Sequence, residues 1–129
     1  MVQFVRYAAE HNEYAAARYQ NEVKRLYGVL EDHLKQSGAE YLVGNKCTIA
    51  DIAHWGWITL SRWAGVELAD FPNLQAWEER MLARPAVEKG RQIPDKHHRE
   101  ILQDPKAMEA FEKRGKSFYR QKEKEAAQN

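Results

Sequence analysis

The sequence predicts an all-α protein, a right-handed helical bundle, and three observations carry that expectation. Apolar residues recur at spacings of three and four along almost the whole chain. No stretch shows the Val/Ile/Thr alternation that marks a strand. Helix punctuation, with prolines at starts and glycines at ends, falls between the periodic stretches.

The first helix has Phe4, Tyr7 and Ala8 on one face and begins at Met1 with no capping residue before it. Helices seldom start so abruptly, so Met1 is either an added start within a longer protein or a true beginning in mid-helix. The next helix runs from Tyr14 to about Lys35. Tyr19, Val23, Leu26, Leu30 and Leu34 form its apolar stripe, Tyr27 widens it, and Gly38 stands where a terminating glycine belongs. Gly44 and Asn45 make a turn.

Thr48 and Asp51 then stand in capping-box spacing, with Asp in place of the usual Glu or Gln. Ile49, Ile52, Ala53, Gly56 and Leu60 follow, so the box opens a helix expected to reach Trp63 or Ala64 and to end at Gly65. It is apolar on most sides and is expected at the centre of the bundle. Gly56, unfavourable in a helix interior, suggests close approach of a neighbouring backbone. Cys47 and Ile52 occupy the two positions of a hydrophobic staple across the box.

Pro72 suits a first helical position, and Leu74, Trp77, Met81 and Leu82 form the apolar face that follows. Arg84-Pro85 stops that helix and restarts a short one ending at Gly90. A loop through Gln92–Asp95 precedes a further helix over 96–102. Asp104 and Pro105 mark a last start, cap then first-turn proline. That final helix carries Met108, Phe111 and Phe118 on one side amid Lys, Arg and Glu, and is expected to fray after Tyr119.

A chain of 129 residues, 43% hydrophobic and 30% charged, is long enough to bury a core and too apolar to be disordered. The net charge of +1 gives no electrostatic drive toward nucleic acid or an anionic membrane. No apolar run approaches the ~18–20 residues of a membrane span. The opening residues lack the pattern of a secretory signal. The single Cys47 has no internal disulfide partner. A cytoplasmic location is the simplest expectation.

Tyr41-Leu42-Val43-Gly44, Thr48 to Asp51, and Phe71-Pro72-Asn73-Leu74 with Arg84-Pro85-Ala86-Val87 occur in that order. Together with Arg18-Tyr19-Gln20-Asn21-Glu22-Val23 and Arg25-Leu26-Tyr27, they resemble the C-terminal helical domain of glutathione transferases. The likeness is strongest to the nu-class and fungal nitrogen-regulator-like group. It covers residues 1–94, with 95–129 expected as a charged helical extension.

The resemblance implies that a thioredoxin-like domain holds glutathione, the co-substrate of the complete enzyme, and activates its thiol. The helical domain then supplies the pocket for a small hydrophobic electrophile and much of a homodimer interface. The strands, cis-proline and Glu-Ser clamp of the thioredoxin-like domain have no counterpart in these residues. The chain is therefore expected not to conjugate glutathione by itself, to contain no catalytic residue and to carry no cofactor of its own. Other readings are a stand-alone helical isomerase or cyclase acting on a small hydrophobic substrate, and a noncatalytic ligand-binding module.

The resemblance places Arg18 near the active-site mouth, where a guanidinium can hold a glutathione carboxylate. A plain ion pair with Glu22 at i+4 is the alternative. Phe4, Tyr7, Trp55 and Ile58 are implied walls of the electrophile pocket, or simply core. Thr48 and Asp51 are read as structural. His11, His33, His54 and the His97-His98 pair lack metal-ligand spacing, so no metal is expected.

Overall fold

The computed structural model describes residues 12–93 and 104–126, so the expected helices at the N-terminus and over 96–102 lie outside the described residues. Five helices are seen among those residues. They are α1 (Glu13–Ser37), α2 (Ile49–Ile58), α3 (Pro72–Leu82), α4 (Pro85–Gly90) and α5 (Pro105–Ala126). The only bridge of strand type among them is isolated, between Tyr41 and Gly44. The all-α expectation holds.

α1 starts one step earlier than expected because Asn12 caps it, accepting from the Ala15 amide at 2.9 Å. Gly38 ends it in the left-handed region at φ 59°, its amide bonded to the Leu34 carbonyl. Tyr27 and Leu34 are buried and Val23 and Leu30 pack on them, a run of four-three-four steps. Tyr19 and Leu26, expected in the same stripe, fall to one side of it and are exposed.

The capping box forms, and α2 departs from expectation after it. The helix stops at Ile58, and the chain continues to Gly65 in tight turns. Amides of Ser61, Ala64 and Gly65 bond the carbonyls of Ile58, Ser61 and Arg62, each three residues back. These turns bury Trp63, Ala64 and Val66 together. Gly65 closes them at φ 76°, where a Cβ would also lie 2.6 Å from the Gln20 Nε2.

Nor is α2 the centre of the bundle. Of its residues only Asp51 and Ile58 are buried. Ile49, Ile52 and Trp57 are 85%, 64% and 79% exposed. Among the described residues no backbone makes the close approach expected at Gly56, where a Cβ would meet nothing within 4 Å. Cys47 turns to the core, with its Sγ 3.9 Å from the Met81 Sδ, and does not staple against the exposed Ile52.

α3 supplies the centre instead. Leu74, Trp77 and Met81 are its most buried side chains, packed with Tyr27, Leu34, Leu42, Ile58 and Val66. Phe71 closes one side, edge-on to the Tyr27 ring at 5.8 Å. Pro72 and Pro85 sit at first-turn positions of α3 and α4, as expected. α5 stays helical to Ala126, past the expected fraying point, through a Lys/Glu/Ala-rich stretch of high helix propensity. Phe111 of α5 meets the buried Trp63 ring edge-on at 5.3 Å.

Candidate functional site

Asp51 is the most highly connected polar side chain among the described residues, and it is fully buried. Its Oδ2 accepts from the Thr48 amide at 2.8 Å and the Thr48 hydroxyl at 3.0 Å. Its Oδ1 accepts from the Leu42 amide and the Trp77 indole N–H, both at 2.9 Å. One carboxylate thus ties the 38–48 loop, the start of α2 and the middle of α3. Burial pushes its pKa up, yet the bonds from Leu42, Trp77 and Thr48 outweigh burial and hold it below the ordinary aspartate value. The Thr48 spacing was readable in the sequence. The Leu42 and Trp77 donors were not, because they arrive from other elements.

A second carboxylate works between α1 and α3. The N-cap of α3 is Phe71, whose side chain cannot cap. Glu31 of α1 fills that role, accepting from the Leu74 amide at 2.8 Å and from the Asn73 side-chain amide. Burial raises the Glu31 pKa, but those bonds and the charge of Lys35 prevail and lower it. No local pattern around Glu31 signals this partnership.

Beside the same loop, Tyr41 lies between two arginines of α3 and its exit. The Arg80 and Arg84 guanidinium carbons stand 6.0 and 5.9 Å from its ring centroid. Arg80 also donates to the Glu40 carbonyl, and Arg84 reaches the Tyr41 hydroxyl at 3.4 Å. Tyr41 and Arg84, which belong to separate sequence motifs, thus meet across the chain.

The residues expected to form a substrate pocket are dispersed. Phe4 and Tyr7 lie outside the described residues. Arg18 is exposed on α1 and shares a shallow depression with Tyr19, Asn21, Glu22 and Arg25. Glu22 pairs with Arg25 at 2.8 Å and 2.9 Å, not with Arg18. That bond, with the charges of Arg25 and Arg18, lowers the Glu22 pKa. Arg18 is left with no ion-pair or hydrogen-bond partner among the described residues. Trp55 is half-buried against the core, and Ile58 is within it at 2% exposure. Among the described residues no group of three or more His, Cys, Asp or Glu is placed to hold a metal, and no helix is long and apolar enough to cross a membrane.

An all-α domain whose second described helix opens on a Thr-x-x-Asp box with its Asp buried defines the class, and comparison with known proteins defines the family. The family model for the glutathione S-transferase C-terminal domain matches residues 1–85. The chain belongs to that family. It is 46% identical over 72 residues to the glutathione S-transferase sirG of Leptosphaeria maculans, covering 54% of this chain and 31% of the relative. It is 42% identical over 74 residues to the disulfide-bond oxidoreductase YfcG of Escherichia coli, covering 57% and 34%.

Among solved structures, a glutathione transferase homologue from Lodderomyces elongisporus, holding two glutathione molecules per subunit, superposes with a TM-score of 0.68. It is 38% identical, over 71% of this chain and 44% of that one. Ure2p in complex with S-hexylglutathione gives 0.65 at 33% identity, over 68% and 44%. These relatives agree with the nu-class and fungal-regulator-like resemblance read from the sequence. The chain spans about a third of the length of the relatives quoted and less than half of those structures.

Proposed function

We propose that this chain is the electrophile-binding and dimer-forming half of a glutathione transferase, working with a thioredoxin-like domain that holds glutathione. The observation that carries the reading is the bare apolar face of α2, with Ile49, Ile52 and Trp57 at 85%, 64% and 79% exposure. A helix opened by a hydrogen-bonded box with a buried Asp51 is held firmly at its start, and its outer face has the character of a surface meant to be covered. Residues 1–94 form the family domain and 95–129 the extension. The edge contact of Phe111 with Trp63 supports the extension as part of the same body.

In this reading Arg18 holds a glutathione carboxylate, a role consistent with its having no ion-pair or hydrogen-bond partner among the described residues. Phe4, Tyr7, Trp55 and Ile58 contribute the walls of the electrophile pocket, Trp55 being half-buried and Ile58 within the core. The exposed Tyr19, Leu26 and Val29 on α1 serve the dimer contact. The complete enzyme directs the glutathione thiolate onto an electrophilic carbon or onto the disulfide of a glutathione adduct. Its place of work is the cytoplasm.

The test has two arms. The 129-residue chain alone is expected to give no glutathione conjugation with an aryl halide. Joined to the thioredoxin-like domain of a relative, it is expected to conjugate. There Arg18→Ala raises KM for glutathione, and Trp55→Ala raises KM for the aryl halide. Turnover by the chain alone at the rate of intact family members would reject the division of labour. An unchanged KM in both variants of the joined protein would reject the pocket.

A further inference from the structure

Where the loop after α1 meets the end of α3, Tyr41, Arg80 and Arg84 hold positive charge and hydrogen-bond donors that the fold does not use. Arg25, Arg62 and Arg91 each hold a glutamate, at 2.8, 3.2 and 3.1 Å. Arg80 and Arg84 hold no carboxylate among the described residues. The carboxylate whose charge reaches Arg84 is that of Asp51, which is buried and already accepts four hydrogen bonds.

Tyr41 and both arginines are half-buried. Arg80 donates through Nη1 to the Glu40 carbonyl. Arg84 donates through Nη1 to the Tyr41 hydroxyl at 3.4 Å, long for a hydrogen bond. A guanidinium carries five N–H groups, so most of the donors of both side chains remain. The Tyr41 hydroxyl accepts from Arg84 and donates its own proton to no group among the described residues.

The loop beneath them is braced. The Tyr41 amide bonds the Gly44 carbonyl at 3.0 Å, the Glu40 amide bonds the Asn45 side chain at 3.1 Å, and the Leu42 amide bonds Asp51 at 2.9 Å. A ligand therefore meets donors carried on a fixed backbone, which lowers the cost of ordering them.

The Arg84 nitrogen and the Tyr41 oxygen, 3.4 Å apart, are spaced to reach two oxygens of one oxyanion. The guanidinium carbons of Arg80 and Arg84 both stand near one ring, at 6.0 and 5.9 Å from its centroid, so two positive charges act there. A carboxylate brings one negative charge. A phosphate monoester brings nearly two, with three strong acceptor oxygens, and answers both guanidiniums and the hydroxyl.

We propose that Arg80, Arg84 and the Tyr41 hydroxyl form a binding site for a phosphate monoester where the loop after α1 meets the end of α3. None of the three residues belongs to the pocket proposed above, so the site stands independently of that reading.

The full chain would be titrated with inorganic phosphate, glycerol 3-phosphate and the tripeptide Gly-phosphoserine-Gly at constant ionic strength, while backbone amide resonances are followed. Saturable shifts confined to residues 39–47 and 78–86 are expected. Binding should be tighter at about pH 7.5 than at about pH 5, since the second pKa of a monoester is about 6 and arginine does not titrate there. Tighter binding of the tripeptide would assign the phosphate to a protein chain, and tighter binding of glycerol 3-phosphate would assign it to a small metabolite. Arg84→Lys keeps the charge but loses the planar fork, and should weaken binding about tenfold. Tyr41→Phe keeps the ring and should weaken binding severalfold, with little change in thermal midpoint. Arg80→Gln should weaken binding and flatten its salt dependence. Non-saturating shifts, shifts spread over all surface cations, or unchanged binding by Arg84→Lys would overturn the site. Equal binding of acetate would overturn the phosphate. A lower midpoint for Tyr41→Phe with binding unchanged would show that the hydroxyl serves the fold, and would overturn the assignment of Tyr41.

Discussion

Asp51 concentrates the stability of the domain in one carboxylate. Truncation in Asp51→Ala strands the Thr48 and Leu42 amides and the Trp77 indole N–H in the interior. Each unpaired group costs ~1–3 kcal/mol, so the loss should reach roughly 3 kcal/mol or more, beyond that of a helix cap alone. Cys47→Ala removes only a half-buried thiol against Met81 and should cost far less. Urea unfolding of the two variants checks the contrast; equal, negligible effects would show that the box does not hold the fold.

The same carboxylate sets an acid dependence. Its folded pKa is lowered, so the unfolded chain takes up the proton more readily. The stabilisation is complete above the ordinary value of ~3.9 and is lost as pH falls through the lower folded value. Glu31 adds a dependence of the same sign. Asp51→Asn, which cannot titrate, should unfold with a flatter pH profile over that acid range. At the alkaline end, burial lifts the Tyr27 phenol to about 12. Its neutral form is the one the fold favours, so stability should decline above the ordinary tyrosine pKa of ~10. Tyr27→Phe should remove that decline.

α3 shows how one helix can depend on another for its start. With Phe71 at the cap and Pro72 next, it has no local side chain to satisfy the Leu74 amide, and Glu31 arrives from α1. Glu31→Ala should cost about 0.5–2 kcal/mol, the range for a lost cap. The Leu74 amide should then exchange with solvent faster, while amides in the middle of α1 change little. Glu31→Gln, which keeps an acceptor but loses the charge, should fall between. Exchange at Leu74 unchanged in Glu31→Ala would contradict the cross-helix cap. Of the elements, α1, α3 and α4 were legible because periodicity and punctuation agree. The early end of α2 was not, since apolar residues continue through Trp63 while the backbone tightens to bury Trp63, Ala64 and Val66 together.

For the whole molecule, the decisive feature is an interior centred on α3 and an uncovered apolar face on α2. Such a face favours association or capture of apolar ligands. Sedimentation equilibrium at micromolar concentration should show dimers or larger species, and Trp57→Glu should reduce association without lowering the thermal midpoint. A clean monomer that binds no hydrophobic dye would reject this. Trp63 is protected differently, by the Phe111 edge at 5.3 Å. Deleting residues 104–129 should therefore increase dye binding and association, and Phe111→Ala should reproduce part of that effect.

The helical class, the family, the capping box and most helix boundaries were legible in the order of the residues alone. Each of these depends on residues near one another in the chain, through 3.6-residue periodicity, cap chemistry and the fixed φ of proline. Which apolar residues become core depends on how the helices pack. Ile49, Ile52 and Trp57 match Ile58 in hydrophobicity, yet α3 packs on one side of α2 and leaves the other bare. Packing also sets the partners of the buried carboxylates. Asp51 was recognisable as a cap, but its bonds to Leu42 and Trp77, and the reach of Glu31 to Leu74, join residues from 9 to 43 positions apart. Side chains so separated meet through packing of whole helices, and no local pattern encodes the meeting.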